Sequence, residues 1–451
     1  MLLTIEAVSE SLPLVGIGVR VNGSRAQGTE RGIVAQTQLH TAVIKVTGPS
    51  RLVTLIGLPI ALFALFLALL PPVIVAMALK VNEVTANADK AAAALGLILG
   101  LGALAAMVVN PLVGRLSDRT GGRFGMRRPW IIGGAVVGYL ALVIVATSTS
   151  VVMLVIGWML AQIGFNAALA ALMAIMPDQV PSHRRGIVAG AIGVSQYAAL
   201  VAGTFLVQLF TVTAQQVLVP ATVGVALVIV FTLIFKDRVL EHKPTDSIGV
   251  LSLLGSFVFD PRKNPDLGWA WLTRFLMYGA QATATTYLTY FLINDLGMPE
   301  GEAATGVFVA TLANAAGVLS TTFIAGYLSD KLGRRKMFVL IAGVVAIIGL
   351  VIIALAPTLA IVIVGQFIIG MGMGAFAAVD LALIADVLTT DDDNGKDLGV
   401  VNIAQALPQS LVPVAAPGVI ALTGGYSGLF ITGAVVGLLG ALSITRVRGV
   451  R

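Results

Sequence analysis

Cysteine is absent from this 451-residue chain, which excludes disulfides and thiolate metal sites, and three histidines leave little for a metal cluster. Charge is scarce too. Asp, Glu, Lys and Arg together make up 11%, where a soluble domain carries about 25%. No Gly-x4-Gly-Lys-Ser/Thr loop occurs, which excludes direct ATP drive by this chain. Gly370-Met-Gly372-Met-Gly374 is not a phosphate loop, because it lies in an apolar stretch with no strand before it; such glycines let helices approach closely. Asp391-Asp392-Asp393 lacks the following ligands of a calcium loop and reads as solvated charge. No enzyme, cofactor or metal is expected.

What the chain has instead is apolar residues, 57% of the total, in long runs. A helix crossing the hydrocarbon of a bilayer needs about twenty of them in succession. Twelve stretches qualify, near 52–78, 92–112, 130–147, 151–176, 186–209, 217–235, 268–293, 303–327, 336–356, 359–388, 398–422 and 426–445. They predict an all-α membrane protein of twelve transmembrane helices, numbered here as spans 1 to 12. Pro59, Pro71 and Pro72 are expected to kink span 1.

Lysine and arginine set the orientation, since cytoplasmic loops carry their excess. With both termini on one side, that side holds Arg51, the five arginines from Arg115 to Arg128, Arg184, Arg185 and the basic residues of the middle loop and C-terminus. Lys80 and Lys90 alone fall opposite. Both termini are therefore expected in the cytoplasm, in a multi-pass protein of the cell (plasma) membrane. The same distribution accounts for the net charge of +6 without nucleic acid as a partner. The expected organisation is a disordered cytoplasmic tail over 1–48, a six-helix half over 49–235, a cytoplasmic linker over 236–267 and a second six-helix half over 268–451. Within the linker, Ile248 to Phe259 reads as a short helix on the membrane surface.

Two copies of one segment support the two halves. Gly114-Arg-Leu-Ser-Asp118-Arg119-Thr-Gly121 follows span 2, and Gly326-Tyr-Leu-Ser-Asp330-Lys331-Leu-Gly333-Arg334-Arg335-Lys336 follows span 8, 212 residues later. A weaker pair, Gly186-x3-Gly190-x5-Gln196 and Gly395-x3-Gly399-x5-Gln405, opens spans 5 and 11 at an offset of 209. Internal repeats of this kind build many transporters.

The paired Gly-x-Leu-Ser-Asp-Arg/Lys segments resemble the signature of the major facilitator superfamily. Ser117-Asp118-Arg119-Thr120-x-x-Arg123-Phe124-Gly125-x-Arg127-Arg128-Pro129 is similar to a loop of sucrose–proton symporters, within the glycoside–pentoside–hexuronide:cation symporter group. Gly399-Val400-x-Asn402-x-Ala404-x-x-x-Pro408-Gln409 resembles the same group. The resemblance implies two pseudo-symmetric halves that rock about a midplane site. It also implies a gating latch between the halves, formed by Asp118, Arg119, Arg127 and Arg128 with Asp330 and Arg334; the alternative is that the arginines only set orientation. Asp386, near the end of span 10, reads as solvated or as part of a cytoplasmic gate. A carboxylate placed like Asp118 can bond an adjacent arginine and approach the positive end of a neighbouring helix. Two departures count. Span 4 lacks the arginine and aspartate of plant sucrose symporters, and span 2 lacks the aspartate of sodium-using melibiose-type members. Neither sucrose nor sodium is carried over.

Ionisable residues inside a membrane are functional candidates, because their burial is costly. Arg274 of span 7 and Asp380 of span 10 lie at similar depth. The resemblance places both spans around the central cavity, so the two are expected to meet and couple transport to protons. The alternatives are a structural ion pair, or an arginine snorkelling to the interface. Uncharged polar residues crowd span 7 and recur on spans 4, 5 and 11. Gln281, Tyr287, Gln196, Asn166, Asn402 and Gln405 are the candidate solute ligands, and such a lining suits a neutral polyol better than a carboxylate. The alternative is that they bond helix to helix.

Together these observations predict a secondary-active carrier, working as a monomer in the lipid bilayer. It would move a small polar solute, a sugar or glycoside, by alternating access coupled to protons. The competing readings are a drug–proton antiporter of the same fold and a non-transporting assembly or sensor protein.

Overall fold

The computed structural model describes residues 51–85, 87–181, 184–239, 264–387 and 394–449. The tail over 1–48, the expected surface helix over 248–259 and the aspartates at 391–393 lie outside them. Span 1 is Arg51–Pro71, a π-helical turn Pro72–Ala76 and Met77–Val84. Spans 2 to 6 are Ala88–Asp118, Arg128–Thr147, Val151–Gln179, Arg185–Gln208 and Thr213–Ile234. Span 7 is Pro265–Thr286 and Leu288–Asn294, interrupted at Tyr287. Spans 8 to 12 are Glu300–Leu332, Arg335–Ala354, Leu359–Val387, Asn394–Thr423 and Tyr426–Ser443.

Eleven helices among the described residues are long and apolar enough to cross a membrane unaided. The seventh span is not one of them, because Arg274 and a run of Thr, Tyr and Gln dilute its apolar character and Tyr287 divides it. In span 1 the Pro71-Pro72 pair removes two N–H donors, and the hydrogen-bond ladder lengthens into a π turn just beyond. The repeated Gly-x-Leu-Ser-Asp segments, expected in loops, form the last turns of spans 2 and 8 instead. Helices need not stop where the hydrocarbon does, and Arg115 and Lys331 sit favourably at the negative ends of these two. Gly333, at a φ of 60°, supplies the left-handed residue that ends span 8.

Packing repeats between the halves. Span 4 lies against spans 2 and 3, and span 10 against spans 8 and 9; span 1 lies against spans 5 and 6, and span 7 against spans 11 and 12. Glycines set the closest approaches. Gly134 and Gly164 bring spans 3 and 4 together, as Gly349 and Gly365 do for spans 9 and 10; Gly370 and Gly374 press on span 8 and Gly372 on span 9. The halves are therefore two six-helix bundles of the same plan.

They meet through spans 2 and 11 and through spans 5 and 8. The close contacts lie at the end away from the arginine-rich loops. Gly96 abuts the backbone of Pro413, Gly100 abuts Ser410 and Val414, and the Phe205 and Phe308 rings stand 5.5 Å apart. At the basic end a Cβ on Gly114, Gly186 or Gly190 would meet nothing within 4 Å among the described residues.

Candidate functional site

In the first third of span 7, nine residues from its start, Arg274 is buried, 4% exposed, against Asp380 of span 10, 1% exposed. One guanidinium nitrogen, Nη1, donates to Asp380 Oδ2, and Nη2 donates to Gln405 Oε1 of span 11 at 2.7 Å. The expected pair does meet, with a third span joined to it. The guanidinium carbon stands 5.3 Å from the Tyr278 ring centroid, and Phe376 packs edge-on against Tyr278 at 6.0 Å. Tyr197 of span 5 comes within electrostatic reach of Tyr278, which brings the first half to the cluster. Arg274 Nε is buried with no hydrogen-bond partner among the described residues. Gln405 is half-buried, and Gln196 and Gln409 are exposed.

The remaining polar candidates stand elsewhere. Tyr287 donates its hydroxyl to the Pro413 carbonyl of span 11 at 2.9 Å. Two neighbours cross to span 1: Thr289 donates to the Ile74 carbonyl at 2.8 Å, and Tyr290 to the Ala78 carbonyl at 3.1 Å. The crowd on span 7 thus closes the far end rather than lining one open surface. Without water in the hydrocarbon, hydroxyls turn to carbonyls, and the disturbed ladder of span 1 lies alongside. Asn82 of span 1 donates to Glu300 of span 8 at the same end, at 3.0 Å. Gln281 borders a small recess lined by Met277, Ile347, Leu350, Ile369 and Met373. Asn166 is buried in an amide chain: it donates to the carbonyl and side-chain oxygens of Gln162 and accepts from Asn110 of span 2 at 3.0 Å. Asn402 lies in span 11, with its side chain outside the described residues.

Each half carries a charge node at its basic end. Arg127 is buried and donates to Ser117, Asp118 and Asp178, the last at 2.8 Å from Nη2 and 3.2 Å from Nε. Burial alone would pull this guanidinium down; the hydrogen bond and charge of Asp178, with those of Asp118, reverse that and raise it above its ordinary value. Asp237, just beyond span 6, accepts from the backbone N–H groups of Arg127, Arg128 and Arg238 and so caps the start of span 3. Burial pushes the Asp237 carboxyl up, against those three hydrogen bonds. Arg128 donates to the Leu233 carbonyl at 2.9 Å, and Arg119 is half-buried at the end of span 2.

In the second half Arg335 bonds Asp386 at 2.7 Å, lies 3.6 Å from Asp330 and donates to the Ala382 carbonyl. Arg334, the residue chosen from the motif, is exposed at the cap of span 9. The partners described for Asp118, Asp330 and Asp386 all lie in their own halves, where a latch between halves was expected. Sequence reading also missed Asp178 and Asp237. The signal for Asp178 was present, since it is the acid closing span 4 as Asp386 closes span 10.

Twelve spans in two equivalent bundles, with an ion pair buried between spans 7 and 10, define a membrane transport protein. The Major Facilitator Superfamily model matches residues 54–321 and 309–449, and the chain belongs to that superfamily. It is 30% identical to the glucose transporter GlcP of Staphylococcus epidermidis over 116 residues, 26% of this chain and 25% of that one. It is likewise 30% identical over 116 residues to plastidic glucose transporter 4 of Arabidopsis thaliana, 26% of this chain and 21% of the relative. The match thus spans about a quarter of the length of these relatives. Among solved structures, the nucleoside transporter NupG shares the fold at a TM-score of 0.69 and 15% identity, over 87% of this chain and 99% of that one. A bacterial homologue of the human lysosomal transporter Spinster does so at 0.66 and 14%, over 89% and 99%.

Proposed function

We propose that the protein is a secondary carrier moving a small polar solute of the sugar type across the cell membrane with a proton. The observation that supports this most is the buried Arg274–Asp380 pair, bridged to Gln405, where spans 7, 10 and 11 meet. Ionised Asp380 holds the guanidinium; protonated Asp380 releases it, and Gln405 with it, to the solute. Gln405, Gln196 and Asn402 are the ligands of choice, while Tyr287 and Asn166 hold helices and Gln281 packs within its own half. The named function of the glucose-transporting relatives supports a sugar. The working unit is a monomer with its basic end in the cytoplasm. Halves joined at the far end form one of the two states of an alternating-access cycle. The two charge nodes gate that cycle by steadying the ends that come together in the other state.

Reconstituted vesicles and a panel of radiolabelled sugars test this. An imposed pH gradient should concentrate one or more sugars, and a protonophore should collapse the accumulation. Asp380→Asn should abolish accumulation while leaving exchange between compartments of equal pH. Accumulation that survives Asp380→Asn would assign coupling elsewhere.

A further inference from the structure

We infer that the solute carries one carboxylate, which replaces Asp380 on Arg274 when Asp380 takes up a proton. This rests on the proton-coupled reading just given. Among the described residues, Arg274 and Asp380 are the ion pair buried on both sides, and each neutralises the other. The titratable and polar groups facing them are Tyr278 of span 7, Gln405 of span 11 and, through Tyr278, Tyr197 of span 5. None brings a second negative charge. Protonating Asp380 leaves a guanidinium among neutral neighbours in a water-poor site, and a buried charge stripped of its partner is strongly unfavourable. A neutral sugar does not remove that cost. A carboxylate does, and the planar fork of an arginine holds one through two parallel hydrogen bonds.

Capacity on the protein side points the same way. Arg274 Nη1 serves Asp380, Nη2 serves Gln405, and Nε is buried without a partner among the described residues. Tyr287, Thr289 and Tyr290, which would suit a ring of hydroxyls, are committed to backbone carbonyls. The step balances. The proton goes onto an Asp380 carboxylate oxygen, and the guanidinium hydrogen bonds pass from Asp380 to the solute. The site is neutral both empty and loaded, so a proton and a monoanion cross together without net charge.

Glucuronate, glucuronamide and glucose share a ring and differ at one carbon, so binding to the purified full chain from pH 5 to 8 isolates the charge. Glucuronate should bind at least about tenfold tighter than the two neutral compounds, weakening by up to about tenfold per pH unit as the single linked proton is lost. Asp380→Asn should keep the preference for glucuronate and lose the pH dependence. In vesicles, pH-driven glucuronate uptake should not respond to a potassium diffusion potential set with valinomycin. That arm and the unaltered chain's pH series decide the matter if Asp380→Asn does not fold. Binding of glucose and glucuronamide equal to that of glucuronate overturns the inference and leaves the sugar carrier standing. Glucuronate uptake driven by voltage also overturns it. Binding of none of the three overturns the inference, and the carrier reading then stands or falls on the sugar panel.

Discussion

Arg127 is 4% exposed and has two acids to serve it, Asp118 at 56% exposure and Asp178 at 28%. Loss of one acid leaves the other, so Asp118→Asn and Asp178→Asn should each cost about 1 kcal/mol or less. Together they strand a buried cation, at about 3–5 kcal/mol. Thermal melts of the two single variants and the double variant in detergent should therefore be far from additive; additive losses would show that the node is not shared. Which arginine takes this place was only half legible. The motif marks Arg334 and Arg335 equally, and it is the phase of span 9 that turns Arg335 toward Asp386 and leaves Arg334 at the cap. The Arg274–Asp380 pair was readable because charge inside apolar runs is rare and the two depths agree. Gln405 as its third member was not, since one amide among many carries no mark of direction.

At the scale of elements, span 1 and the second piece of span 7 form a seam. Thr289→Val and Tyr290→Phe each remove one hydrogen bond to a span 1 carbonyl, worth about 0.5–1.5 kcal/mol. Together they should shift the balance toward opening at that end by roughly five- to 150-fold, at about 1.4 kcal/mol per decade. The chain has no cysteine, so a single Asn82→Cys reports the change as faster alkylation; an unchanged rate would make the seam passive. Asp237 holds the cap of span 3. Gly125 has a φ of 90°, and a Cβ there would lie 2.4 Å from an Asp237 side-chain oxygen. Gly125→Ala and Asp237→Ala should both lower stability, the latter by about 0.5–2 kcal/mol as the loss of a cap does; a melt unshifted in Asp237→Ala would deny it that role. The apolar runs located every span but stopped short of the ends of spans 1, 2 and 8, which run on past the hydrocarbon to Val84, Asp118 and Leu332. The crowd on span 7 misled because side chains that bind a solute and side chains that bind a carbonyl are the same residues; only their neighbours differ.

The two halves share a plan but not a tightness. Arg335 is 23% exposed and 3.6 Å from Asp330, while its counterpart is sealed, and the buried Ser329 hydroxyl has no hydrogen-bond partner among the described residues where Ser117 bonds Arg127. Amides of the turn between spans 8 and 9 should therefore exchange hydrogen faster than those between spans 2 and 3, measured by mass spectrometry on the full chain. Equal rates would mean that the asymmetry is confined to side chains. The repeat itself was plain in the sequence, because duplication preserves the spacing of Gly, Ser and Asp; the difference in closure was hidden, being a matter of ångströms. The seventh span has one more consequence. Apolar residues favour partition of a nascent helix from the translocon into lipid, and an arginine within the hydrocarbon opposes it, by up to about 2.5–3.5 kcal/mol at a helix centre. This span, diluted in apolar character and carrying Arg274, depends on partners made after it, since Asp380 and Gln405 emerge more than a hundred residues later. Its stable insertion during synthesis should therefore wait for spans 10 and 11, and ribosome-bound chains truncated before Asp380 should hold it beside the insertion machinery, detectable by crosslinking.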